Sequence, residues 1–342
     1  MKIALLGCGV VGGGVLDICN KRSDTELEYV LVRRPRPELG DKAVSDIDTI
    51  LNDASVDTVV EVMGGLHPAY EYVTQAMKSG KNVVTANKHL VAHYYRELTQ
   101  LAREQSVAFR CTPAVGGGIP WLVNLERVLR LDEVTAFSGI MNGTTNFILD
   151  AMHTDGSDFA QVLKLAQELG YAEADPSADI DGLDIQRKCI ITANVAFGKN
   201  TGNSLSVYVE PSFVPCGELE AAVSANRNVI SFETALTGKE SFYGQGAGRF
   251  PTAYNAVADC LDIASGVRSF YTDITKPAKP DNSAEKHPYY VRFSGSDPWL
   301  DGVTIAPCGD GVVTADISVS EMHAWAAKAK SADPALFIAG II

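Results

Sequence analysis

The chain opens with Lys2-Ile3-Ala4-Leu5-Leu6 running directly into Gly7-Cys8-Gly9-Val10-Val11-Gly12. No other stretch limits the fold as strongly. A short apolar run ending in glycines reads as a buried strand. The three glycines then have separate uses: Gly7 permits a tight turn, Gly9 leaves the backbone bare for a pyrophosphate, and Gly12 allows helix and strand to pack closely. Val10, Val11 and the residues to Asn20 are predicted to form a helix, whose first free amides and positive dipole end would meet the phosphates. The junction therefore predicts a dinucleotide site in an N-terminal βαβ unit. The plainer alternative is a glycine-rich turn with no nucleotide.

The pattern that follows supports an α/β chain. Strands are predicted at 27–32, 57–63, 81–85 and 107–111, with helices at 69–79 and 94–105 between them. Such alternation gives a parallel sheet covered on both faces. From Val134 the pattern changes: a strand at 134–140, a helix opened by Asn142-Gly143-Thr144-Thr145-Asn146, an acidic loop, and a long helix at 183–197. A glycine-rich turn at 244–251 leads to a helix at 252–263. Residues 272–287 are polar with two prolines and read as a linker. The expected division is a Rossmann domain at 1–133 with about 244–265, a second α/β domain at 134–243, and a short tail at 288–342.

With 342 residues, 46% hydrophobic, each unit can bury a core. A net charge of −13 argues against a nucleic-acid partner, which needs a basic surface. No run reaches the length of a membrane helix. The seven cysteines form no CxxC pair and read as reduced thiols of a cytoplasmic protein. A zinc-dependent alcohol dehydrogenase is not expected. Asp179-Ile180-Asp181-Gly182 lacks the spacing of a calcium loop. The second strand ends in Arg33-Arg34, with Arg36 close by, where an NAD site usually places Asp or Glu. Guanidinium groups pair with a 2′-phosphate and cannot accept a ribose proton, so NADP(H) is expected over NAD(H).

The chain resembles homoserine dehydrogenases over roughly residues 1–265. The matching pieces run in the family's order: the fingerprint; Glu61-Val62-Met63-Gly64-Gly65; Gly80-Lys81-Asn82-Val83-Val84-Thr85-Ala86-Asn87-Lys88; Val115-Gly116-Gly117-Gly118-Ile119-Pro120; Asn142 to Leu149; Gly170-Tyr171-Ala172-Glu173-Ala174-Asp175-Pro176 on to Asp179, Asp184 and Lys188; and Gly246-Ala247-Gly248 with Pro251-Thr252-Ala253. The resemblance implies reversible NADP(H)-dependent interconversion of homoserine and aspartate semialdehyde, in threonine and methionine biosynthesis. It makes Lys188 the acid/base on the substrate oxygen, with Asp184 orienting it or binding the substrate, and Lys88 the second lysine, between cofactor and substrate. Glu173 would hold the substrate ammonium, with Asp179, Thr144 and Tyr171 beside it. Met63, Gly64, Gly170 and Gly246 join the glycine loop and Lys88 in holding the cofactor.

The resemblance also implies a monovalent cation (sodium) on the backbone carbonyls of Val115, Gly117 and Ile119. Thr112 stands where the family commonly has Glu, so this site is expected to be weakened or lost. Tyr289 to Phe293 and Leu336 to Ile342 resemble the first and last strands of an ACT domain, in a span shorter than usual. The substrate domain is expected to form at least a dimer through its sheet, and the absence of a preceding kinase region suggests the monofunctional form. Two alternatives stay open at this stage: another NADP-dependent amino acid dehydrogenase, such as one acting on aspartate or diaminopimelate, and a catalytically silent NADP-binding regulator.

Overall fold

The computed structural model describes residues 1–198, 205–268 and 280–342. They fall into two compact units, one from the described residues of Met1–Lys199 and Ser224–Ile274, the other from those of Asn200–Val223 and Thr275–Ile342. Among the described residues no helix is long and apolar enough to cross a membrane.

The first unit is built on a six-stranded parallel sheet of β1 (Lys2–Leu6), β2 (Glu26–Leu31), β3 (Ala43–Val44), β4 (Thr58–Glu61), β5 (Asn82–Thr85) and β6 (Phe109–Arg110). The order is β3-β2-β1-β4-β5-β6, that of a dinucleotide-binding sheet. The central strands are apolar along their length because helices cover both faces: Ile3, Leu5, Val59, Val60, Val83 and Val84 are fully buried. The order reverses between β1 and β4, so the loops after β1, β4 and β5 open onto one crevice.

Helix Val10–Cys19 packs on helix Arg249–Ala264, where the chain returns to the same sheet. Gly14 makes that approach possible, since a Cβ there would stand 2.7 Å from the Arg249 carbonyl oxygen. A three-stranded antiparallel sheet of Gly238–Gly244, Asn228–Thr234 and Val134–Ile140 completes this unit with helices Gly143–Asp155, Phe159–Glu168 and Leu183–Phe197. Buried Trp121 joins the layers: its ring lies 5.7 Å from Phe232, and its Nε1 donates to Thr192 Oγ1 at 3.1 Å.

The second unit runs strand, helix, strand, strand, helix, strand. Tyr289–Arg292 is flanked by Gly311–Thr314 and Phe337–Ile341, with Thr304–Cys308 at one edge. This is the split βαβ arrangement. Ser212–Phe213 adds in parallel beside Phe337–Ile341. Residues 205–223 thus belong with the C-terminal unit, not with the 134–243 domain expected from the sequence. Of the expected linker, 272–279 lies outside the described residues, and Lys286–His287 is a strand paired with Ile317–Ser318.

A second difference concerns the helix expected at 94–105. A helical stretch from Lys88 precedes it, joined to it across a kink at Tyr94 (φ −118°), and Asn87 caps that stretch by accepting the Leu90 N–H at 3.1 Å.

Gly12 is a tight point of the first unit, where a Cβ would run into the Gly7 carbonyl oxygen. Gly12→Ala is expected to cost about 1–3 kcal/mol of stability, read as a lower urea midpoint with unchanged slope; an unchanged midpoint would show the turn to be looser than described.

Candidate active site

The glycine loop has the shape its sequence requires. Gly7 takes a φ of +94°, which leaves β1 at a sharp angle. Gly9 precedes the helix, and nothing lies within 4 Å of the place a Cβ would occupy. That open approach to unpaired first-turn amides suits a pyrophosphate. Val10 is exposed and Val11 half-buried at the same helix start. Beyond β2, Arg36 donates to the Cys8 carbonyl at 3.1 Å and pairs with Glu38 at 3.2 Å. Arg33 and Arg34 are exposed, with no ion-pair partner among the described residues.

The next loops are tied by Glu61, fully buried at the end of β4. It accepts from Thr85 Oγ1 at 2.6 Å and from the Met63 N–H at 2.7 Å. Burial pushes its carboxyl pKa up, and these hydrogen bonds oppose that rise. Asn87 Nδ2 donates to the Gly65 carbonyl at 2.7 Å while its Oδ1 caps the helix that starts at Lys88. One network thus sets the Met63–Gly64–Gly65 turn and the starting point of the Lys88 side chain.

Lys88 reaches Asp184 on a different helix, Leu183–Phe197. Its Nζ lies 2.5 Å from Asp184 Oδ1, and Lys188 Nζ lies 2.8 Å from Oδ2. Asp184 and Lys188 are one turn apart on a single face. Both are buried, at 4% and 5% exposure, whereas the Lys88 side chain is 39% exposed. Burial alone would raise the Asp184 pKa, but the two ammonium groups outweigh it and hold the carboxyl far below its usual range. Burial lowers the Lys188 pKa, with Asp184 resisting and Lys88 adding to the fall. Lys188 also donates to the Met141 carbonyl at 2.5 Å. The result is a buried lysine whose proton is easier to remove than usual, beside a carboxylate that stays ionised.

Asn142 joins this cluster to the acidic segment. Its Nδ2 donates to Asp179 at 2.7 Å and to Asp184 Oδ2 at 2.9 Å, while its Oδ1 caps helix Gly143–Asp155 through the Thr145 N–H at 2.8 Å. Thr144 Oγ1 donates to the Tyr171 carbonyl at 2.7 Å, and the Tyr171 ring packs edge-on to Phe147. Gly170 ends helix Phe159–Glu168 with a φ of +74°. Glu173 is exposed; its carbonyl accepts from Gln167, and its carboxylate has no ion-pair partner among the described residues.

The remaining expected positions lie in the connector before Trp121. Val115 is fully buried. Gly117 has a φ of +54° and abuts Gly246, whose carbonyl carbon a Gly117 Cβ would approach to 2.6 Å. Gly246 in turn lies against the Asn228 amide. Asn255 Nδ2 donates to the carbonyls of both Gly117 and Ile119.

The family model for the homoserine dehydrogenase NAD binding domain matches residues 7–111, and the homoserine dehydrogenase model matches 120–204 and 199–261. The Pseudomonas aeruginosa homoserine dehydrogenase is 31% identical over 87% of this chain and 82% of its own. The Neisseria gonorrhoeae homoserine dehydrogenase is 35% identical over 77% and 72%. The chain belongs to the homoserine dehydrogenase family. It is accordingly an NAD(P)-dependent oxidoreductase acting on CH–OH. Among solved structures, a Thiobacillus denitrificans homoserine dehydrogenase superimposes with a TM-score of 0.85 at 28% identity, covering 100% of this chain and 98% of that one. A hyperthermophilic archaeal homoserine dehydrogenase in complex with NADPH shares the fold at a TM-score of 0.70 and 22% identity, covering 78% and 98%.

Within this homoserine dehydrogenase, Glu61 and Asn142 were present in the matching segments but received no role from the sequence. Each left a signal: an acid ending the apolar run Val59-Val60, and an Asn just before a helix start. Asn142→Ala removes a cap and two donors to carboxylates. It is expected to lower stability by about 2 kcal/mol, measured by urea unfolding; a loss within error would show that water replaces the amide.

Proposed function

We propose that the Lys88–Asp184–Lys188 cluster is the reacting end of the homoserine dehydrogenase site, with Lys188 exchanging the proton on the substrate oxygen. The observation that carries this reading is the single Asp184 carboxylate shared by both ammonium groups, at 2.5 and 2.8 Å. A nicotinamide bound in the crevice supplies the hydride acceptor or donor. In oxidation the hydroxyl proton passes to the neutral Lys188 amine as the carbon gives up its hydride. In reduction the Lys188 ammonium returns that proton to the carbonyl oxygen.

An ammonium has three donors. Two of those on Lys188 go to Asp184 and the Met141 carbonyl, leaving the third for the substrate. Lys88, further out, keeps positive charge beside the oxygen as it gains electron density. Glu173 and Asp179 receive the substrate ammonium. Thr144 and Tyr171 shape the same wall. Asp184 keeps both lysines in place.

The cofactor is proposed to be NADP(H), bound by Gly7, Gly9, Val10, Val11 and Gly12, with Met63, Gly64, Lys88, Gly170 and Gly246 bordering it. Arg33 and Arg34 stand free to pair with a 2′-phosphate, and the nearest carboxylate beyond β2, Glu38, is engaged by Arg36. The same fold holds NADPH in the archaeal neighbour. The 134–243 region, less residues 205–223, acts as the substrate-binding and dimerisation part. The C-terminal unit reads as a shortened ACT-like domain from its strand order. Light scattering on the eluting protein tests the dimer, and an inhibition assay with threonine tests the sensing role.

Lys188→Ala is expected to lower kcat by roughly 10²–10⁴-fold while NADPH fluorescence titration gives an unchanged Kd; near-normal turnover would remove Lys188 from the chemistry. Because burial lowers the Lys188 pKa, reduction of the semialdehyde should fall, and oxidation of homoserine rise, as pH passes upward through a value below the ordinary lysine range. Matching pH profiles in both directions would exclude this assignment. Arg33→Ala with Arg34→Ala should raise KM for NADPH and leave KM for NADH near its original value; equal losses with both cofactors would refute the NADP(H) preference.

A further inference from the structure

The residues at the cation position implied by the family do not fit an ion. Hard cations are held by oxygen ligands with free lone pairs. Here Asn255, 3% exposed on helix Arg249–Ala264, donates its Nδ2 to the Gly117 carbonyl at 2.5 Å and to the Ile119 carbonyl at 3.3 Å. The Ile119 carbonyl also accepts the Trp121 N–H at 2.8 Å, so both its lone pairs are used. The two carbonyls can only accept, which fixes the amide with its nitrogen toward them.

Thr112, standing where a carboxylate ligand is expected, is also occupied. Its N–H and Oγ1 donate to Asp259 at 2.9 and 2.7 Å. Asp259 lies one turn beyond Asn255 and accepts from the fully buried Arg110 at 3.0 Å. The carboxylate in this region is therefore already neutralised by a guanidinium. Among the described residues no group of three or more His, Cys, Asp or Glu could hold a metal.

We infer that Asn255 takes the place of the cation. Its two N–H groups bridge the Gly117 and Ile119 carbonyls, and the connector keeps its form without a monovalent ion. The connector has little room to shift, because Gly117 lies on Gly246 and a Gly118 Cβ would stand 2.8 Å from Pro251. It leads directly into Trp121, which hydrogen-bonds the helix carrying Asp184 and Lys188. Asn255 is thus a positioning residue.

The test uses thermal unfolding of the full chain in sodium, potassium and choline chloride at equal ionic strength. This readout does not depend on the proton-transfer proposal. The unsubstituted protein should melt at one temperature in all three salts; a rise in sodium or potassium over choline overturns the inference. Asn255→Ala should melt at least about 2–4 °C lower in choline chloride, and an unchanged melting temperature overturns it. Asn255→Asp sets a carboxylate against the two carbonyls. It should melt below the unsubstituted protein in choline chloride and recover specifically in sodium chloride. Full stability in choline chloride would show that no donor is needed there.

Discussion

A carboxylate shared between two lysines from different helices is the contact on which the organisation of the candidate site depends. Asp184 is buried, so its charge is tolerable only because Lys88 and Lys188 stand within hydrogen-bonding distance of it. Lys88 starts the helix after β5, and Lys188 belongs to the helix beyond the acidic segment. The ion pairs therefore join the end of the parallel sheet to the layer proposed to bind substrate. Burial of Lys188 without that carboxylate would favour a neutral amine and weaken the link.

Two neutral amides hold this arrangement in register. Asn87 begins the Lys88 helix while gripping the Gly65 carbonyl, and Glu61 fixes the same turn from below. Asn142 begins the Gly143–Asp155 helix while holding Asp179 and Asp184. In both, an asparagine oxygen satisfies a free helix amide and its nitrogen satisfies an acceptor elsewhere. Helix capping and alignment of charged groups are thus one interaction. Asn255 does comparable work at the connector, where an amide bridges two carbonyls.

Much of the parallel sheet was legible because its central strands are covered on both faces. Lys2–Leu6 read as a strand from its apolar run ending in glycines, and Asn82–Thr85 falls within the strand expected at 81–85. Ala43–Val44 did not, since two residues carry no period. The Asn228–Gly244 hairpin also escaped. Its second strand alternates between half-buried and exposed positions with no marked apolar contrast. Residues 205–223 were misplaced because a strand of two residues, Ser212–Phe213, is defined only by the partner it meets.

The glycine fingerprint, the arginines after β2 and the one-turn spacing of Asp184 and Lys188 were settled by local sequence. Turn geometry and helical period act over a few residues, and identity at those positions is sufficient. That Lys88 closes on Asp184, that Thr112 and Arg110 converge on Asp259, and that Asn255 meets the connector carbonyls were decided by the tertiary structure. These groups are separated by up to about 150 positions, and only the packing of the intervening helices brings their atoms within hydrogen-bond range.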